Sequence, residues 1–408
     1  MRIVVHRLAA VAAFVSVGAA SASAQGGPAR DTANPKITQM VSRLTLDKYK
    51  ETVKGLAQFG DRRQGTDRNR QAVDWIEAQL KRYGCTPTQR ITYDYQPPAP
   101  RERPTPEQLA AFQRARERGE GQGGSRIRGN RGPTGVNNDS LTQPDPALRA
   151  LDSQPSTAGE RQEVYCTKVG TVHPDEMYIV GGHMDGIGWG EAANDDGSGT
   201  ALVMELARVF SMPDVHTDVS IRFILWNNEE TGLNGSRAYV AQRAALQGKE
   251  DPAGSGKYPE PKWLGMIQHD MEMFDHGMPN AQGVVSKTQR PEADVNIEFQ
   301  SKSKFAAQAE QLAWAFRDAN EEYATDYPAA VGPHMTNTDS APFQDLVPAI
   351  SLRENERGMQ IGAGWDPQWH QPTDVFSTYS DDDFRLGLNA AQTTLGAVAT
   401  LAGARVGP

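Results

Sequence analysis

The chain has 408 residues, 38% of them hydrophobic and 23% charged, which is enough apolar material for a substantial core in one large or two medium domains. Its formal net charge of −9 argues against the clustered basic footprint that nucleic-acid binding requires. That charge carries no information about the substrate.

The first residues read as an export signal. Arg2 and Arg7 precede a short apolar run from Leu8 to Ala20, and Ala22-Ser23-Ala24 has the small-x-small form of a cleavage site. The alternative is a buried N-terminal helix. The expected organisation is a signal peptide over 1–24, a flexible leader over 25–36 and a single domain over 37–408. The apolar run is too short for an ordinary membrane span and no later stretch is long enough, so the mature protein is expected to be soluble, in a periplasm or outside the cell. In such a compartment Cys85 and Cys166 can form one disulfide; two free buried thiols are the other reading.

Leu44 to Tyr83 carries apolar residues at helical spacing, clearest over Ala72 to Leu80, and Gly84 is a natural stop. Thr86 to Tyr95 alternates like a strand. From Pro97 to about Glu160 the composition shifts to Gly, Pro and charge, which reads as a mobile insertion with a short helix near Pro106 to Arg118. Strands and helices then alternate. Strands are expected at Glu163 to Val169, Met177 to Val180, Val219 to Trp226, Trp263 to Gln268 and Pro348 to Leu352. Helices are expected at Gly199 to Phe210, Ser236 to Leu246, Lys304 to Tyr323 and Asp382 to Leu401. This order implies an α/β fold, a three-layer sandwich with a mixed, largely parallel central sheet and helices on both faces.

Open α/β sheets bind ligands at the carboxyl ends of their strands, and acidic and imidazole side chains gather at those points here. His183-Met184-Asp185 follows one strand, and Asn194-Asp195-Asp196-Gly197 leads into a helix. Asn227-Asn228-Glu229-Glu230 and His269-Asp270 follow two further strands, and His370 lies near the C-terminus. Each alone has an ordinary reading: a hydrogen-bonded His, an Asp-Gly turn and cap, a solvated Glu pair. Together they fill the inventory of a hydrolytic two-zinc site. His183 and Asp270 could hold one ion, Glu230 and His370 the other, with Asp195 bridging and Glu229 left off the metals to accept a proton. Strand alternation turns His269 away from the face Asp270 occupies.

Gly182-His183-Met184-Asp185, Ala193 to Gly199, the run Trp226 to Ser236, and the later Asp270 and His370 resemble the family-28 metallopeptidases, the co-catalytic zinc aminopeptidases of the secreted bacterial leucine aminopeptidase type. The similarity runs from about Leu44 to Leu401, outside the insertion. It implies a zinc-exopeptidase fold of the phosphorylase/hydrolase-like kind, peptide substrates trimmed at the amino end, and two Zn²⁺ per chain. By resemblance His183, Asp195, Glu230, Asp270 and His370 match the zinc ligands, Glu229 the general base, and Asp185 the carboxylate that orients the first His. Two departures stand out. Thr338-Asp339-Ser340 replaces a Ser-Asp-His pattern, and Trp369 stands where some members carry a Tyr that helps hold the oxyanion. Asp339 reads equally as a loop cap.

Three other readings stay open at this point. One is a carboxypeptidase or dipeptidase of the same family, for which Arg353 could grip a carboxylate if it is not a surface ion pair. Another is a glutaminyl-cyclase-like transferase, against which His183 argues. The third is a metal-free binding domain.

Overall fold

The computed structural model describes residues 33–97, 136–277, 284–324, 326–333, 337–354 and 366–407, together with Asn280 and Gln282. The expected signal peptide, most of the leader, and the short helix near Pro106 to Arg118 lie outside these residues. The strands in chain order are β1 (Thr88–Tyr95), β2 (Gly159–Lys168), β3 (His173–His183), β4 (Val215–His216), β5 (Val219–Trp226), β6 (Lys262–His269), β7 (Val295–Phe299), β8 (Ala329–Gly332), β9 (Ala349–Arg353) and β10 (Arg405–Val406). Eight of them form one sheet in the order β1-β2-β5-β3-β6-β9-β7-β8, and β4 pairs with β10 apart from it. The central run β5-β3-β6-β9 is parallel. On one side β2 pairs antiparallel with β5, and β1 antiparallel with β2. The sheet is thus mixed and largely parallel.

Every residue of β5 is buried, as befits a strand covered on both faces. Its alternation sends Ile221, Phe223 and Leu225 into one core and Ile224 and Trp226 into another. The first core is closed by the helices Leu46–Ala57, Asp67–Arg82, Gly197–Phe210, Ala306–Tyr323 and Asp381–Leu401. The second is thinner. It gathers Trp226, Tyr239, Trp263 and Phe343 under the short helix Asn234–Arg243. The helical region expected over Leu44 to Tyr83 is two helices, Leu46–Ala57 and Asp67–Arg82. Between them Gly60 takes φ 63°, a conformation glycine adopts freely and a helix cannot contain.

Cys85 and Cys166 are disulfide-bonded, which ties the segment after the Asp67–Arg82 helix to β2 and leaves the free-thiol reading without support. Residues 98–135 of the stretch expected to be mobile lie outside the described part. Its remainder, from 136, is built into the domain. It contains the helix Pro146–Asp152, capped by Asp145, and Asp152 accepts the N–H of Asp61 at 3.2 Å. The polar side chains that suggested mobility serve there as caps and buried acceptors. Among the described residues no helix is long and apolar enough to cross a membrane.

A buried ionic knot anchors the thinner face. Glu260 accepts hydrogen bonds from Arg222, from the Tyr239 hydroxyl at 2.7 Å and from the Trp263 indole at 2.5 Å. Arg222 is 2% exposed, so its charge has no recourse to water. Glu260→Ala should therefore destabilise the fold by about 3–5 kcal/mol in urea unfolding. A loss below about 1 kcal/mol, the range of exposed pairs, would contradict this reading.

Candidate metal centre

His183 is the last residue of β3, and Asp270 follows β6 directly. Glu229 and Glu230 stand just beyond β5. Asp195 precedes Asp196, which caps the Gly197–Phe210 helix by accepting the N–H of Gly199. The same Asp196 carboxylate accepts the backbone N–H of His183 at 2.9 Å and of Met271 at 3.1 Å, so it knits the ends of β3, β6 and the helix together. A side chain at Gly182 would meet the backbone of Gly199 at 2.8 Å, so the helix start lies directly on the strand end. The Asp195–Asp196 peptide is cis.

These elements bring His183, Asp195, Glu230, Asp270 and His370 into one cluster. The two oxygens of Asp195 face different imidazoles: Oδ1 is 3.3 Å from His183 Nε2, and Oδ2 is 3.0 Å from His370 Nε2. Asp270 Oδ1 lies 3.8 Å from His183 Nε2, and Glu230 Oε2 lies 2.9 Å from His370 Nε2. Each imidazole thus meets one carboxylate of its own and one shared carboxylate. Glu229 lines the same cleft but makes neither imidazole contact. The His269 ring turns away, with Nδ1 2.9 Å from Glu272.

Asp185 behaves differently from the role its position implied. Its backbone carbonyl, not its carboxylate, is the nearer partner of His183 Nδ1, at 2.9 Å against 3.9 Å. The chain turns so soon after β3 that the main chain reaches the ring first. The carboxylate instead accepts the N–H of Glu229 at 3.0 Å and fixes the Glu229-Glu230 turn. Arg353 is no surface ion pair. It is 2% exposed and donates to Asp270 Oδ2 at 2.6 Å, which commits it to the cluster and away from any substrate. Asp339 is buried, accepts the Ser236 hydroxyl at 2.5 Å and is not among the residues that line the cleft.

Two supports had no signal in the sequence. Asp374 accepts the N–H groups of Asn194 at 2.9 Å and Asp195 at 3.1 Å, one on each oxygen, and so joins the loop bearing His370 to the segment bearing Asp195. The buried Arg62 donates to the carbonyls of Met184, Glu191 and Ala192 at 2.7–2.8 Å. The 136–158 segment adds a third brace, with Asn137 N–H donating to the His370 carbonyl at 3.0 Å.

Electrostatically the cluster seeks positive charge. Burial raises the Glu230 carboxyl, and the nearby Asp195 adds to it, to about 7. Burial opposes charge on His370, yet Glu230 and Asp195 raise it to about 11. Burial likewise opposes ionisation of Asp195, but His183 and His370 hold it at about 2. Buried Glu230 Oε1 has no hydrogen-bond partner among the described residues. Imidazole nitrogen and carboxylate oxygen around a shared carboxylate, with an unsatisfied oxygen, fit divalent metal ions of the zinc type. Asp374→Ala should lower divalent-metal affinity about 10–100-fold in chelator competition, because the Asp195 backbone loses its acceptor. Unchanged affinity in a folded variant would contradict that role.

The chain is similar to known peptidases. Peptidase family M28 matches residues 164–392. The probable lipoprotein aminopeptidase LpqL of Mycobacterium tuberculosis is 27% identical over 284 residues, 66% of this chain and 48% of its own length. Aminopeptidase YwaD of Bacillus subtilis is 46% identical over 68 residues, 17% of this chain and 14% of its own. The chain thus spans about half or less of the length of these curated relatives. Among solved structures, a zinc aminopeptidase from Bacillus subtilis superposes with a TM-score of 0.58 at 17% identity, covering 88% of this chain and 95% of that one. A glutaminyl cyclase from Porphyromonas gingivalis gives 0.51 at 15% identity, covering 88% and 99%. Such identities speak to the fold alone, and the fold serves more than one reaction. The family match encloses His183, Asp195, Glu229, Glu230, Asp270 and His370, and the chain belongs to peptidase family M28.

Proposed function

We propose that the chain is an exported zinc aminopeptidase that uses two metal ions and Glu229 as general base. The observation that carries this reading is the division of Asp195 between two imidazoles, with a further carboxylate beside each. His183 and Asp270 would hold one zinc, His370 and Glu230 the other, with Asp195 between them. Bound there, the ions would bring the pKa of a shared water towards about 7 and polarise the scissile carbonyl.

The protein's own groups do the rest. Glu229 accepts the proton of the attacking water and passes it to the leaving amine. Burial raises its carboxyl well above the ordinary value and Glu230 and Asp339 add to that, with His183 opposing, which suits a group that must hold a proton between two steps. Asp185 keeps Glu229 in place through its backbone N–H. Arg353 keeps Asp270 ionised against the cost of burial. Trp369 stacks on the His370 ring with centroids 4.0 Å apart and forms one wall of the cleft. Amino-end trimming is favoured because the relatives named above carry aminopeptidase names. Export is favoured by the signal-peptide pattern over residues 1–24 and by the disulfide.

A panel of peptides blocked at one end or the other, read by mass spectrometry, tests the reading. Release of single residues from free amino ends, abolished by a chelator, is expected; cleavage of amino-blocked peptides at their carboxyl end would overturn it. Glu229→Ala should lower kcat about 10²–10⁴-fold while zinc content is retained. An active variant would remove Glu229 from the mechanism. Asp195→Ala should lose both ions together in elemental analysis, and retention of two equivalents would exclude the bridge.

A further inference from the structure

Above its acidic floor the cleft, about 320 Å³ in volume, is walled by Leu233, Arg237, Asn337 and Trp369. Arg237 sits in the first turns of the helix Asn234–Arg243, which follows the Glu229-Glu230 turn after three residues. Its place is therefore set by the same rigid segment that sets the base. We propose that Arg237 selects substrates that present a carboxylate at the mouth of the cleft. That carboxylate is either the acidic side chain of the first residue or the carboxy-terminus of a short peptide. The inference rests on the aminopeptidase reading above and names the substrate class for that same site.

Two observations carry it. First, Arg237 Nε donates to the carbonyl of Gly232 at 3.1 Å, and no carboxylate among the described residues forms an ion pair with it. The bond to Gly232 orients the guanidinium and leaves its two terminal amino groups as a fork. Such a fork matches the two oxygens of a carboxylate. Second, among the described residues that line the cleft Arg237 is the one arginine or lysine, in a lining that otherwise carries the acidic Asp195, Glu229, Glu230 and Asp270. Leu233 and Trp369 contribute apolar surface to the same cleft.

The test uses four peptides and three forms of the full-length, zinc-loaded protein: wild type, Arg237→Gln and Arg237→Glu. Glu-Ala-Ala-amide against Leu-Ala-Ala-amide reads the side chain, and Leu-Ala against Leu-Ala-amide reads the carboxy-terminus. In the wild type, one carboxylate-bearing peptide should exceed its neutral partner about tenfold in kcat/KM. Arg237→Gln should bring that ratio close to one, and Arg237→Glu should invert it. Equal ratios in wild type and Arg237→Gln would overturn the proposal. Turnover of Leu-Ala-Ala-amide reports the aminopeptidase reading independently. Calorimetric binding of the same peptides to Glu229→Ala, with and without Arg237→Gln, decides the carboxylate preference without turnover. Tighter binding that depends on Arg237 supports the proposal, and equal binding overturns it.

Discussion

Like charges crowded into a buried space repel one another unless cations or protons stand between them, and the ends of β5 and β6 together with the segment before the Gly197–Phe210 helix crowd four carboxylates into one cleft. Burial and Asp195 push the Glu230 carboxyl up, and Glu230 and Asp195 push the His370 imidazole up against the cost of burial, so the cluster favours added positive charge. Two divalent ions would answer the same need with fixed geometry. The buried Arg353 is a partial answer of the same kind, since it holds Asp270 ionised where burial would neutralise it. The chemistry and the local stability of the cluster are therefore one problem.

The fold solves the geometric half. Parallel strands end together on one edge, so His183, Glu229-Glu230 and Asp270 arrive from neighbouring positions without long loops. Asp196 binds two strand ends to one helix start. His370 comes from neither a strand end nor a helix start, and three contacts brace its loop. It has Asp374 linking its loop to Asp195, Trp369 stacked on its ring and the 136–158 segment hydrogen-bonded to its carbonyl. The polar segment 136–158 before β2 thus contributes a structural arm to the site.

Much of this was legible because two strong signals coincide. Continuous apolar runs such as Val219 to Trp226 mark strands buried on both faces, and acidic or imidazole residues directly after them mark the functional edge. β7 was missed although Val295, Ile297 and Phe299 alternate with polar residues, and β8 was missed because Ala329 to Gly332 offers almost no side chain to show a period. Arg62, Arg353 and Asp374 were illegible for a different reason. A buried charged residue looks in sequence like an exposed one, and only the partner reveals it. Asp185 shows the same limit at finer scale, since the resemblance implied a carboxylate that orients His183 and carried no sign that this carboxylate accepts the Glu229 N–H.

The most direct test is anomalous X-ray scattering at the zinc edge from crystals of the zinc-loaded protein. Two peaks about 3.5–4 Å apart are expected, one beside His183 and Asp270, the other beside His370 and Glu230, with Asp195 between them. A single peak, or peaks that leave Asp195 uncoordinated, would contradict the shared-carboxylate centre on which the proposed reaction depends.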